Sequence, residues 1–145
     1  MLSEILSLNK MKILLLSLVL FFQGERQPFY QNVVQKAKTE NKPILLVFSG
    51  SDWCSNCIKL KSNVFDQEAF QFLKSEKFEM YTADFPRTKI TVEDQRTLDN
   101  EMLADKFNPK GKFPLVLLID SDQNVFKKTS GKLNTVDEFK VWLSL

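Results

Sequence analysis

The chain has 145 residues, 43% apolar and 26% charged, and thirteen phenylalanines supply enough apolar side chains for one folded domain, which excludes disorder and collagen-like structure. Twenty basic residues against 18 acidic ones leave a net charge of +2, too balanced for a phosphate-binding surface, so nucleic acid is not an expected partner. The absence of histidine excludes serine–histidine and cysteine–histidine hydrolases, and two cysteines alone cannot complete a zinc site.

An apolar stretch near the start of the chain differs from everything that follows. Residues 13–22 read ILLLSLVLFF, ten residues without a charge and preceded by lysines. A basic flank before an apolar run of this length is typical of a signal peptide, whereas ten helical residues rise about 15 Å, half of what a membrane span needs. We expect residues 1–24 to be a signal peptide or an uncleaved N-terminal anchor, with the true start at Met1 or Met11. Residues 25–145 would then form an exported domain in the periplasm or cell envelope.

The remainder alternates between helical and strand-like patterns. Helical spacing and capping residues predict five helices, which begin at or near Pro28, Cys54, Asp66, Thr91 and Thr135. Apolar runs predict strands at 44–48, 78–83, 114–119 and 125–128. The order of these elements predicts an α/β fold with one mixed sheet covered by helices on both faces.

Two finer expectations concern side chains. A capping-box pattern, Thr91-x-x-Asp94, marks the start of the fourth helix, and the buried stripe of this helix is predicted to comprise Leu98, Met102, Leu103 and Phe107. Lys127 and Lys128 are expected on a solvated face.

The chemistry concentrates in Trp53-Cys54-Ser55-Asn56-Cys57, a C-x-x-C pair that follows a buried strand and begins a helix. Cysteines three positions apart on a helical turn are neighbours, so their sulfurs can bond without distorting the backbone. Cys54 lies where unpaired N–H groups and the positive end of the helix dipole favour the thiolate, which is the attacking form. Cys57 lies one turn deeper and is shielded.

Three other interpretations of the cysteine pair stay open. A static structural disulfide is compatible with export. Closing so small a ring restricts the unfolded chain only slightly, however, so the disulfide would stabilise the fold little. A metal half-site would lack a second pair of soft ligands. The two cysteines could also be buried without any chemistry. The position of the motif, between a strand with its Gly/Ser turn and a helix start, favours redox chemistry over all three.

These features resemble the thioredoxin-like superfamily over residues 28–145. They are most similar to an exported bacterial branch whose active-site loop reads GSDWC-x-x-C-x-K-L-K. Residues 50–61, GSDWCSNCIKLK, carry the resemblance, and it continues in Asp84-Phe85-Pro86 and in Phe113-Pro114 ahead of a hydrophobic strand. The resemblance implies a thioredoxin-like fold across nearly the whole exported part.

The same resemblance implies roles for five residues. Pro114 corresponds to the cis-proline beside the active-site disulfide, the backbone of Phe113 would pair with an extended substrate segment, and Trp53 would cover the sulfurs. We expect a thiol–disulfide oxidoreductase in which Cys54 attacks a substrate disulfide and Cys57 resolves the mixed disulfide. No metal or organic cofactor is implied, because the electrons reside in the redox-active disulfide.

Departures from the family pattern refine this expectation. Thioredoxins carry a buried acid on the strand before the motif, whereas residues 45–48 are apolar, and Asp84 on the next strand is expected to be a turn residue. No histidine separates the cysteines, which favours a reductase or isomerase over a strong oxidase. Lys112 stands where small residues are common, which indicates a more cationic substrate groove.

The expected partners are protein substrates with disulfides or thiols and an upstream electron donor. A monomer is expected, with membrane contact only through the N-terminal segment if that segment stays attached. Two alternative functions remain: a non-catalytic thioredoxin-fold binding module that uses the edge at Phe113 and Pro114, and a soft-metal carrier that binds copper through Cys54 and Cys57.

Overall fold

Four strands form one mixed sheet in the order β2-β1-β3-β4. The computed structural model describes residues 29–88, 94–131 and 133–144, so the predicted signal peptide or anchor at 1–24 lies outside the described residues. Strand β1 runs parallel to β2, and β3 runs antiparallel to both β1 and β4. The strands are β1 (Ile44–Ser49), β2 (Glu79–Asp84), β3 (Leu115–Ile119) and β4 (Val125–Ser130).

Helices cover both faces of this sheet, as the element order predicts. They are α1 (Phe29–Glu40), α2 (Ser55–Leu60), α3 (Glu68–Lys77), α4 (Gln95–Phe107) and α5 (Val136–Leu143). A π-helical turn, Lys61–Phe65, continues α2 without a break. None of the helices in the described ranges is long and apolar enough to cross a membrane.

The continuous apolar run of β1 contributes side chains to two separate hydrophobic cores, one on each face of the sheet. Successive strand residues point to opposite faces, so a strand covered on both sides needs apolar side chains throughout. On one face, Ile44, Leu46 and Phe48 pack with residues of α1 and α4. On the other, Leu45 and Val47 pack with residues of α2, the π-helical turn, α3 and α5. The prediction that 44–48 is buried on both faces is confirmed.

The prediction that Asp66 caps the next helix is wrong. Helix α3 begins one residue later, with Gln67 at its N-cap. The N–H of Asp66 donates to the carbonyl of Lys61 at 2.8 Å, which makes Asp66 the end of the preceding π-helical turn. Its carboxylate accepts a hydrogen bond from the Lys61 ammonium at 2.7 Å.

The predicted cap at Thr135 is confirmed, whereas the helix predicted to begin at Thr91 has Asp94 at its N-cap, a residue that the capping-box pattern placed three positions inside the helix. The Asp94 carboxylate accepts the N–H of Arg96 at 3.2 Å at the start of α4, while Thr91 lies outside the described residues. The Thr135 hydroxyl accepts the N–H of Glu138 at 3.1 Å at the start of α5. Each cap provides a partner for a helix N–H group that has none within the helix.

The buried stripe of α4 differs from the predicted one. Leu103 and Phe107 are buried, but Leu98 and Met102 are 52% and 50% exposed. Asp99 and Asn100 are buried instead, although both are polar. The helix is rotated because these two side chains have partners on other elements.

Those partners lie on α1 and β2. The Asp99 carboxylate accepts the N–H of Tyr30 at 2.9 Å, at the start of α1. The Asn100 side chain accepts the Tyr81 hydroxyl and donates to the Asp84 carbonyl, each at 2.9 Å. Leaving these buried polar groups without partners would lower the free energy of unfolding more than exposing Leu98 and Met102 does. The hydrogen bonds therefore decide which face of α4 is buried.

Lys128 is exposed, as expected, and Lys127 is half-buried, and each also forms a hydrogen bond to a helix end. The Lys127 ammonium donates to the Trp142 carbonyl at 3.0 Å, at the C-terminal turn of α5. The Lys128 ammonium donates to the Phe107 carbonyl at 3.3 Å, at the C-terminus of α4. Cations at these positions satisfy free carbonyls and complement the helix dipole.

The rings of Tyr30 and Tyr81 pack edge to face, 5.3 Å apart, but their hydroxyls differ. Burial raises the pKa of each to about 12. The Tyr81 hydroxyl is bonded to Asn100, whereas the buried Tyr30 hydroxyl has no partner among the described residues. We expect Tyr30→Phe to leave the free energy of unfolding unchanged or raise it by up to about 1 kcal/mol, because an unsatisfied buried group is removed.

The matched variant Tyr81→Phe should lower the free energy of unfolding by about 1–2 kcal/mol, because the Asn100 oxygen is left buried without a donor. Urea unfolding of the two variants beside the wild type measures both effects. If Tyr30→Phe were less stable than Tyr81→Phe, the hydrogen bonding described for the two hydroxyls would be wrong.

Candidate active site

Cys54 and Cys57 form a disulfide at the start of α2, with an S–S distance of 2.14 Å and a Cα–Cα distance of 5.2 Å. Cys54 is the N-cap residue, and its sulfur accepts a hydrogen bond from the backbone N–H of Cys57 at 3.2 Å. Their exposed fractions are 7% and 3%, so Cys54 is the more accessible of two largely covered residues. The two sulfurs are bonded across the first helical turn, as the spacing predicts.

Gly50 forms the turn between β1 and this helix. Its carbonyl accepts the N–H groups of Trp53 and Cys54 at 3.3 and 2.9 Å. A Cβ atom on Gly50 would lie 2.3 Å from the nearest carbon of the Trp53 ring, which is closer than real contacts allow. The indole therefore occupies the place of the missing side chain, and glycine is required by this close approach.

Gly50→Ala is expected to displace the Trp53 ring and lower the free energy of unfolding by about 1–3 kcal/mol through overpacking. Trp53 fluorescence, recorded in a Trp142→Phe background, reports the displacement because these are the two tryptophans of the chain. The control is Gly111→Ala in the same background: its φ of +57° strains any added side chain, but no atom lies within 4 Å of the added Cβ, so the Trp53 spectrum should not change. An unchanged spectrum and stability for Gly50→Ala would contradict the packing described for Trp53.

The Trp53 ring is held on its remaining sides by three residues. Its indole N–H donates to the Phe85 carbonyl at 2.7 Å. The Phe113 ring meets it edge to face at 5.3 Å, and the Arg87 guanidinium lies 5.3 Å from its ring centre. Phe85 and Phe113 also pack together, with ring centres 5.7 Å apart. Trp53 therefore has a single defined position beside Cys54.

Two carboxylates connect the active-site loop by hydrogen bonds to the end of β2 and to the segment after it. Asp52 accepts the N–H groups of Arg87 and Thr88 at 2.9 and 3.0 Å and the Thr88 hydroxyl at 3.0 Å. Asp84 accepts the Ser51 N–H at 2.9 Å and the Ser51 hydroxyl at 2.5 Å. The donated N–H groups of Arg87 and Thr88 lower the pKa of Asp52, so it is ionised at neutral pH. Asp84, expected to be a turn residue, is instead the last residue of β2 and part of this connection.

Phe113 and Pro114 precede β3, and the peptide bond between them is cis. The buried side chain of Asn108 holds the residue before them, since its amide donates to the Lys112 carbonyl at 2.9 Å and its oxygen accepts the Lys112 N–H at 2.8 Å. On the other side, the Pro114 carbonyl accepts the Ser130 hydroxyl at 2.9 Å. This loop is therefore fixed from both ends.

The structure brings all the predicted site residues together at one end of the sheet. Cys57 and Pro114 line one cleft of about 400 Å³, and Trp53 packs on Phe113 beside Cys54. The cleft is also lined by Asp84 and Lys61, so it is partly polar. In the described part of the chain, no group of three or more Cys, Asp or Glu side chains could hold a metal ion.

Sequence reasoning did not assign a role to Gly50, Asp52, Arg87 or Asn108. Gly50 and Asp52 stand inside the quoted loop motif, so their proximity to the cysteines was a usable signal. Arg87 offered none, because its partner Trp53 is identified only by the fold. Asn108 lies four residues before its partner Lys112, so an asparagine at the start of a turn was a usable local signal.

Comparison with known proteins gives three informative matches and one family. A family model described as thioredoxin-like matches residues 26–121. The chain is 32% identical over 93 residues to the disulfide bond reductase DsbH of Chlamydia pneumoniae. It is 29% identical over 98 residues to the thioredoxin-related protein DsbJ of the same organism. A solved structure titled DsbH oxidoreductase superposes with a TM-score of 0.69 at 26% identity and covers 77% of each chain.

The alignments do not span these relatives completely. The DsbH match covers 64% of this chain and 55% of the relative, and the DsbJ match covers 68% of this chain and 28% of the relative. The superposition confirms the expected thioredoxin-like fold with a mixed sheet between helices.

Proposed function

Because the chain belongs to the thioredoxin-like family, we propose that it is a thiol–disulfide oxidoreductase whose redox group is the Cys54–Cys57 pair. The observation that carries the proposal is the position of the disulfide at the first turn of a helix, where the Cys57 N–H already donates to the Cys54 sulfur. This donor and the other free N–H groups of the turn stabilise negative charge on Cys54 when the pair is reduced. A relative named as a disulfide bond reductase supports the same assignment.

The proposed reaction moves two electrons from the protein to a substrate disulfide. The Cys54 thiolate attacks one substrate sulfur, the substrate S–S bond breaks, and the departing thiolate takes up a proton from water. Cys57, deprotonated, then attacks the Cys54 sulfur of the mixed disulfide. The second substrate thiol is released and the Cys54–Cys57 disulfide is restored. An upstream thiol or other electron donor must then reduce the pair again.

The substrate would dock where the loops meet. Trp53 offers an apolar surface beside the attacking sulfur, and its position is fixed by Phe85, Phe113 and Arg87. The backbone of Phe113, before the buried Pro114, would pair with an extended substrate segment as an added strand. Because both ends of this loop are hydrogen-bonded, little order would have to be gained on binding.

The direction of electron flow is proposed to be reductive or isomerising. Ser55 and Asn56 separate the cysteines and supply no cation that would stabilise the reduced thiolate strongly, as a strong oxidase requires. We further propose an exported monomer in the periplasm or cell envelope, with residues 1–24 as signal peptide or anchor. Its substrates would be proteins with disulfides or thiols.

Catalysed reduction of insulin by dithiothreitol tests the proposed activity. A small molar fraction of the protein should shorten the time to precipitation of the insulin B chain, and the equilibrium of the pair with glutathione should show a reducing potential. Precipitation at the rate of dithiothreitol alone would contradict the proposal and favour the non-catalytic binding module.

A further inference from the structure

The acidic residues around the redox site already accept hydrogen bonds from other groups of the protein. Asp52 accepts three hydrogen bonds from Arg87 and Thr88, and Asp84 accepts two from Ser51. These five bonds join the active-site loop to the last residue of β2 and to the segment after it. Neither carboxylate can take a substrate cation without giving up donors that hold the loops together.

Three basic residues around the same site are in the opposite situation, unlike Lys61, which is paired with Asp66. Arg87, Lys112 and Lys59 are exposed, and none of them forms an ion pair with another described residue. They extend from three different elements: the segment after β2, the loop before β3, and α2. Their charges are therefore available to a bound chain.

Each of the three is fixed close to the predicted docking surface. The Arg87 guanidinium lies 5.3 Å from the centre of the Trp53 ring, which is next to Cys54. The backbone of Lys112 is held by Asn108 at both its N–H and its carbonyl, directly before Phe113. Lys59 lines a small cavity together with Asn56 and Pro114. We call these three residues the cationic rim: Arg87, Lys112 and Lys59.

We propose that the cationic rim selects substrate segments that carry Asp or Glu beside the disulfide cysteine. This inference rests on the proposed oxidoreductase function and adds a substrate class to it; the redox step itself is unchanged. The Arg87 guanidinium lies over the Trp53 ring without an ion-pair partner among the described residues, so its donors are free for a carboxylate, which a guanidinium can bind through two hydrogen bonds. Rim charges act mainly on the rate of association, and salt screens them.

The test uses three peptides that differ only in the residues flanking one cysteine, which are Glu, Gln or Lys. Each peptide carries the same chromogenic thiol in a mixed disulfide, and the reduced full chain releases that thiol. We expect the Glu peptide to react about tenfold faster than the Lys peptide at low ionic strength, with the ratio falling to about twofold near 0.5 M salt.

Charge reversal within the rim distinguishes it from a general charge effect. Arg87→Glu and Lys112→Glu should each reduce or invert the preference for the Glu peptide. Lys38→Glu is the matched control, because it changes the net charge equally at an exposed position of α1 and should leave the ratio unchanged.

The outcomes separate this inference from the proposed function. Equal rates with all three peptides at low ionic strength would overturn the selectivity while leaving the oxidoreductase intact. A loss of preference in Lys38→Glu as large as in Arg87→Glu would also overturn it, because net charge would then explain the result. Failure to reduce any of the peptides would refute the oxidoreductase function and this inference with it.

Discussion

Cys54→Ser is expected to lose catalysed insulin reduction by about three orders of magnitude or more, leaving only the rate of dithiothreitol itself. A serine hydroxyl stays protonated at neutral pH and cannot form the mixed disulfide, so the first step has no nucleophile. The substitution is nearly isosteric at the N-cap of α2, and serine is itself a favourable N-cap residue, so the fold should persist.

Two controls accompany this measurement. Ser55→Ala changes the exposed residue next to Cys54 and should keep most of the activity. Circular dichroism should show that Cys54→Ser remains folded. Insulin reduction by folded Cys54→Ser at the wild-type rate would end the assignment of Cys54 as the nucleophile.

The second large effect is expected for Cys57→Ser, which should trap the mixed disulfide. In the wild type, Cys57 lies in the first turn of the helix that Cys54 caps, with its Cα atom 5.2 Å from that of Cys54, so its attack is intramolecular and fast. Without that thiol, the covalent complex between Cys54 and the substrate should accumulate to nearly one equivalent. Intact-mass spectrometry detects the adduct, and added reductant should release it.

The double variant Cys54→Ser, Cys57→Ser is the control for trapping and should form no adduct. A stable adduct through Cys57 in the single variant Cys54→Ser, together with none in Cys57→Ser, would reverse the two assigned roles. The exposed fractions of 7% for Cys54 and 3% for Cys57 favour the order proposed here.

Local patterns in the sequence were sufficient to predict most of the fold. The apolar run of β1 predicted burial on both faces because alternation along a strand leaves no other use for five consecutive apolar residues. Thr135 was identified as a cap because an N-cap bonds within its own helix turn, whereas the Thr91-x-x-Asp94 pattern placed the start of α4 three residues too early. The C-x-x-C pair likewise lies within one turn, so its geometry is local.

Errors arose where a distant partner decides the outcome. Leu98 and Met102 have the right spacing for a buried stripe, but Asp99 and Asn100 turn inward because α1 and β2 supply their hydrogen-bond partners. Lys127 was expected in solvent for the same reason: the carbonyl it binds, that of Trp142, is placed beside it by the fold.

The residues of the candidate active site divide in the same way, into those that a local motif identifies and those that only the fold brings together. Trp53, Cys54 and Cys57 are contiguous or nearly so, and a motif could identify them. Asp52 acts on backbone groups of another segment, and a carboxylate 35 residues before the N–H it accepts carries no local sign of that bond. Periodicity and motifs report neighbours along the chain, so these connections needed the structure.

The central claim is that Cys54 is ionised and accessible at neutral pH while Cys57 is shielded. The rate of iodoacetamide alkylation of the reduced protein as a function of pH, with the modified residue identified by mass spectrometry, tests it most directly. The account predicts modification of Cys54 alone, with a midpoint clearly below the ordinary thiol pKa of about 8.5. Two thiols that remain protonated and unreactive up to about pH 8 would contradict it.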